Sequence, residues 1–204
     1  MALQGVDSRA AAADAPVTIV ALGDSLTAGF GLPAEQSFPA ALERALAAKG
    51  IPVRIVNAGV SGDTATGGLA RLDWSVPEGT DAVIVELGAN DALRGIDPAQ
   101  TRAALESILR RLKERRISVL LCGMRAPPNL GPEFTRAYEA IFAGLARRYE
   151  TVFYPFFLDG VAADATLTQH DGLHPTAEGI AVIVGKILPK VEELIAQVRQ
   201  RRNS

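Results

Sequence analysis

The chain has 204 residues, 48% of them hydrophobic and 22% charged, with a formal net charge of −2. That length fits one domain with a sizeable core, and the near-balanced charge gives no electrostatic reason to expect nucleic acid or an anionic membrane as partner. Cys122 is the single cysteine, which excludes an internal disulfide and a cysteine-based metal cluster.

Residues 1–15 are rich in alanine and read as a flexible leader ahead of one domain over residues 16–204. Ala11-Ala12-Ala13-Asp14 is the kind of sequence left around a signal-cleavage site, so the expected compartment is periplasmic or extracellular if a native signal was trimmed, and cytoplasmic otherwise. No apolar run approaches the length of a membrane span, so no integral membrane segment is expected.

The first strand is expected over Val17–Leu22, running into the turn Gly23-Asp24-Ser25. A helical stretch from Ala40 to Lys49 is ended by Gly50 and Pro52. Val53–Asn57 reads as the second strand, followed by the small-residue turn Ala58–Thr64 and a short helix through Leu69 and Leu72. Asp81–Leu87 is a third strand, apolar almost throughout and therefore expected to be covered on both faces. Asp97-Pro98 starts the clearest helix, with Leu105, Ile108, Leu109 and Leu112 at helical spacing. Ile117–Gly123 is the fourth strand, and its buried setting makes Cys122 an inert thiol. A proline-rich loop, a helix over Glu133–Arg148 and a short fifth strand over Thr151–Tyr154 come next. The last helix is expected from Thr176 to Gln197, with Arg199–Arg202 as a solvated tail.

Strands alternating with helices imply βαβ units and a parallel sheet with helices on both faces. The expected fold is a three-layer α/β/α sandwich of flavodoxin-like type around a five-stranded parallel sheet. In such a sheet the carboxyl ends of the strands share one edge, where these folds place ligands. Ser25, Gly59 and Asn90 each follow one of the first three strands, and His174 follows the fifth.

Nucleophilic acyl transfer needs a hydroxyl, a base, a group that orients the base, and donors for an oxyanion. Ser25 is the hydroxyl. Of the two histidines, His170 and His174, the second has a carboxylate, Asp171, three residues before it, a spacing that reaches the far ring nitrogen and sets its tautomer. Pro175 holds His174 extended. Gly59, lacking a side chain, lets its N–H approach a ligand closely, and Asn90 adds an amide donor. Each motif alone has an ordinary reading as a turn or a cap; together, in this order and after these strands, they point to catalysis.

Four blocks, Gly23-Asp24-Ser25-Leu26, Asn57–Thr64 with Gly59, Gly88-Ala89-Asn90-Asp91 and Asp171-Gly172-Leu173-His174-Pro175, resemble those of the GDSL or SGNH hydrolases. Within that family the chain is similar to the bacterial thioesterase I, protease I and lysophospholipase L1 group, which includes arylesterases. The resemblance implies Ser25 as nucleophile, His174 as base and Asp171 as its orienting acid. It also implies an oxyanion hole from the N–H groups of Ser25 and Gly59 and the Asn90 amide, and no metal or organic cofactor. Such enzymes are commonly exported. The expected substrates are aryl and short- or medium-chain esters, extending to acyl thioesters or lysophospholipids. A carbohydrate deacetylase and a non-catalytic flavodoxin-like binding module are the alternatives. Asp24, Phe30, Leu32, Met124, Ala126, Pro127, Leu130 and Phe157 are the expected substrate-pocket residues, with Pro127-Pro128 stiffening the loop. A small ester is the expected partner, and a homo-oligomer is compatible with the sequence.

Overall fold

Every strand carries its apolar residues to the same central layer. A computed structural model describes residues 15–204, so nearly all of the leader assigned to residues 1–15 lies outside the described residues. The strands are β1 (Val17–Gly23), β2 (Val53–Gly59), β3 (Ala82–Glu86), β4 (Ser118–Cys122) and β5 (Val152–Tyr154). They form one sheet in the order β2-β1-β3-β4-β5, with all four neighbouring pairs parallel. β3 is buried at every residue, as a central strand covered on both faces must be.

Eight helices accompany the strands among the described residues: α1 (Ser25–Ala28), α2 (Phe38–Ala48), α3 (Ala65–Ala70), α4 (Leu72–Ser75), α5 (Ala89–Leu93), α6 (Pro98–Glu114), α7 (Pro132–Tyr149) and α8 (Ala177–Asn203). One layer is formed by α2 packed against α8, the other by α6 packed against α3 and α7. Leu105, Ile108, Leu109 and Leu112 of α6 are buried as their spacing requires, each worth about 1.5–3 kcal/mol of burial. This is the expected three-layer α/β/α sandwich. Cys122 is fully buried, as expected, and burial pushes its thiol well above the ordinary range.

The carboxyl end of the chain departs from expectation. The final helix continues to Asn203, and the expected solvated tail is its last turns. Arg201 donates to Ser118 Oγ and the Asp81 carbonyl, while Arg202 pairs with the Asp81 carboxylate at 2.8 Å and with the Ala15 carbonyl. These arginines tie the helix end to the amino-terminal edge of the sheet, opposite the edge that carries the candidate site.

Candidate active site

Ser25 is the first residue of α1, directly after β1. Asp24 caps that helix by accepting the Leu26 N–H at 3.0 Å. As the first helical residue, Ser25 has an N–H with no acceptor inside its own helix. The start of α1 is thus both the place where the hydroxyl stands and a place where a backbone donor is free for a ligand.

His174 reaches Ser25 from the loop between β5 and α8. Its Nε2 lies 2.8 Å from Ser25 Oγ, and its Nδ1 lies 2.6 Å from Asp171 Oδ2. The other oxygen of Asp171 accepts the N–H groups of Leu173 and His174 at 2.9 and 3.0 Å, so the carboxylate is held by its own turn. Those backbone donors and the imidazole pull the Asp171 carboxyl down to about 2, with the His174 N–H the largest contributor. Gln169 fastens the loop: its N–H donates to the His174 carbonyl, and its amide donates to the carbonyls of Phe30 and Pro175. Phe30 lies against the His174 ring with centroids 4.5 Å apart. His170 is not part of this chain of contacts.

Asn90 sits on α5, immediately after β3. Gly88 precedes that helix at φ 117°, and a Cβ there would stand 2.7 Å from the Tyr138 hydroxyl, which donates to the Gly88 carbonyl. The Asn90 amide is aimed from two sides: Nδ2 donates to Asp24 Oδ2 at 3.1 Å and to the Asp63 carbonyl at 2.9 Å. Asp63 is in turn paired with Arg71 at 2.6 Å, and Arg71 also donates to the carbonyls of Gly23 and Ala58. Arg71 therefore braces the ends of β1 and β2, a role with no signal in the local sequence.

Gly59 ends β2 beside the Ser25 turn. Its N–H donates to Asn57 Oδ1 at 3.0 Å, and a Cβ at this position would lie 2.3 Å from the Ala28 nitrogen. The absence of a side chain lets the end of β2 lie against the backbone of α1, with the Gly59 N–H on a side chain of its own strand.

Beside Ser25 opens a cleft of about 670 Å³, within the usual range for small-molecule sites. Met124, Ala126 and Pro127 line it as expected, together with the unexpected Leu26, Leu93, Phe156, Leu158 and Leu173. Phe157 is a correction: it is fully buried, edge-on to Phe38 in the core, and its neighbour Phe156 faces the cleft instead. Asp24 is a second correction, fully buried beneath the turn and unable to touch substrate. Leu32 and Leu130 pack partly against the core rather than lining this cleft, and Phe30 stands at the His174 ring. A usable signal for the missed lining was the pair of apolar residues beside polar motifs, Leu93 and Leu173, which are 51% and 48% exposed.

Fold and site together define an α/β sandwich with a hydroxyl–imidazole–carboxylate array at the carboxyl edge of its sheet. Residues 21–182 match the GDSL-like Lipase/Acylhydrolase family, and the chain belongs to it. It is 38% identical over 179 residues to the esterase TesA of Pseudomonas aeruginosa, covering 87% of this chain and 89% of that protein. An arylesterase of Vibrio mimicus is 36% identical over 188 residues, covering 92% and 90%. The crystal structure of AlinE4, an SGNH-hydrolase family esterase, is 46% identical with a TM-score of 0.74, over 87% of this chain and 96% of that one. No helix among the described residues is long and apolar enough to cross a membrane.

Proposed function

We propose that the chain is a serine esterase that hydrolyses carboxylic esters through an acyl-enzyme on Ser25. The observation that carries this reading is the unbroken contact from Ser25 Oγ through His174 to Asp171, beside an apolar cleft. In the first half-reaction Ser25 Oγ attacks the acyl carbon and its proton passes to His174 Nε2. The tetrahedral intermediate then collapses, and the departing alcohol or thiol takes that proton. Water repeats the sequence to release the acid. Asp171, ionised at any working pH, keeps the His174 proton on Nδ1 and stabilises the imidazolium as it forms.

The oxyanion donors in this reading are the Ser25 N–H, the Asn90 amide and the Gly59 N–H, whose hydrogen otherwise points to Asn57 Oδ1. The oxyanion shares the Asn90 hydrogen that otherwise points to the Asp63 carbonyl. Replacing Asn90 with alanine is expected to lower kcat by about 10²–10³ with little change in KM, the usual cost of one such donor. Turnover near wild type would remove Asn90 from the hole.

Aryl and short- or medium-chain acyl esters are the proposed substrates. Pro127-Pro128 leads into a tight 3₁₀ turn over Pro128–Leu130, which limits how far the loop over the cleft can move aside. A series of p-nitrophenyl esters is expected to peak at short or medium acyl chains. A peak at long chains would overturn this part of the proposal and leave the mechanism intact.

A further inference from the structure

Beneath the Ser25 turn lies a carboxyl group that the mechanism does not use. Glu86 ends β3 opposite Gly23 of β1 and is completely buried. Its Oε2 accepts the Thr27 hydroxyl at 2.6 Å and the Asp24 N–H at 3.4 Å. Gly23 makes room for this contact: a Cβ there would lie 2.1 Å from Thr27 Oγ1 and 2.6 Å from Glu86 Oε2. Glu86 Oε1, by contrast, is buried with no hydrogen-bond partner among the described residues.

The groups facing Glu86 are Asp24 from the turn, Thr27 from α1 and Cys122 from β4, none of them a cation. A charged carboxylate there would be buried next to another acid, without a counter-ion and with one oxygen unsolvated. A neutral acid removes that uncompensated charge: the carbonyl oxygen, Oε2, takes both hydrogens, and the hydroxyl is Oε1, whose lack of a partner costs far less than an unsolvated charge. Asp24 is placed differently. It accepts the Leu26 N–H and the Asn90 amide, and it faces His174 as well as Asp63 and Glu86.

We propose that Glu86 is a positioning residue that acts as a neutral carboxylic acid, pinning the Ser25 turn through Thr27 and the Asp24 N–H while Asp24 alone carries the charge that aims the Asn90 amide. The inference rests on the esterase reading above. A second charge at Glu86 would favour protonation of Asp24 and release Asn90; a neutral Glu86 supplies the anchor without that repulsion. Burial, only partly opposed by those hydrogen bonds, already pushes the Asp24 carboxyl up to about 6. The sign follows directly: the carboxylate that holds Asn90 is complete above that pH and is lost as pH falls through it.

The test compares Glu86→Leu, Glu86→Gln and Thr27→Val with wild type. It measures kcat and KM for an aryl ester across acid and neutral pH, per active site titrated with a fluorophosphonate. Glu86→Leu, which cannot accept either hydrogen, is expected to lower kcat by about tenfold or more with KM little changed, as for loss of a buried hydrogen bond. Glu86→Gln, whose carbonyl accepts the same two hydrogens, is expected to recover most of that loss and to leave the acid limb of kcat/KM in place. Thr27→Val removes one of the two bonds from the other side and is expected to lower kcat in the same manner, so the idea remains open to refutation if Glu86→Leu does not fold. Three results would overturn it. They are an acid limb in Glu86→Gln shifted down by about one pH unit, which would mean that a charge had been removed; a Glu86→Gln kcat as low as that of Glu86→Leu; or wild-type kcat per titrated site in Thr27→Val. A wild-type protein that the fluorophosphonate does not label would instead end the esterase reading, and this inference with it.

Discussion

Ser25→Ala is expected to lower kcat by about 10⁶ and to abolish labelling by a fluorophosphonate, while the protein folds and melts as wild type. The size of the loss follows from the acyl-enzyme route: without the oxygen there is no covalent intermediate, and only the residual catalysis of the oxyanion donors and the cleft remains. Folding is expected to survive because Ser25 Oγ is bonded to His174 at the surface of the site rather than to the core. The α1 cap depends instead on Asp24. His174→Ala should cost nearly as much, and the double variant little more than either single one, since the two act as a unit. His170→Ala is the control and should be mild, because the Asp171 carboxylate and Ser25 both point to His174. Equal losses at the two histidines, or stoichiometric labelling of Ser25→Ala, would remove Ser25 and His174 from the proposed mechanism.

How much of this was legible in the sequence depended on whether a residue's role is set locally or by a distant partner. β1 and β3 were plain because continuous apolar runs between turn signals have few alternatives, and both are buried as expected. Ser25, Asn90 and His174 were legible for the same reason at one remove: each is a polar residue where a strand stops, and a parallel sheet gathers those stops at one edge. At Gly59 the sequence marks a close approach without saying to what. The approaching group is the Ala28 backbone, brought there by the pairing of β2 with β1. Phe156 and Phe157 lie just past β5, where no period says which ring turns inward. Asp24 stands next to the nucleophile in the sequence but is buried, and the partners that hold it there, Glu86 and Asn90, are more than sixty residues away. Arg201 and Arg202 resembled a solvated tail because their partners, Ser118 and Asp81, are just as remote. Glu86 did leave a trace in the sequence, as the one acid ending an otherwise apolar strand, Ala82–Glu86.

The Asp171→Asn variant has a sharper expectation than simple loss of a charge. In the wild type, Oδ1 accepts two backbone N–H groups while Oδ2 faces His174 Nδ1. An asparagine side chain must keep its oxygen on the two N–H groups, since turning the amide would oppose donor to donor on both. Its NH₂ group then faces His174 Nδ1 and can only donate. The imidazole must accept there, so its proton moves to Nε2, the nitrogen facing Ser25 Oγ. In that tautomer His174 has no lone pair with which to take the serine proton, although every heavy atom remains in place. The expected loss in kcat is about 10⁴, with KM nearly unchanged. Nitrogen-15 spectra of the imidazole should show the proton on Nδ1 in wild type and on Nε2 in the variant. Turnover within about tenfold of wild type would remove Asp171 from the mechanism. A 10⁴-fold loss with the proton still on Nδ1 would mean that its charge on the imidazolium, and not the tautomer, is what the reaction needs.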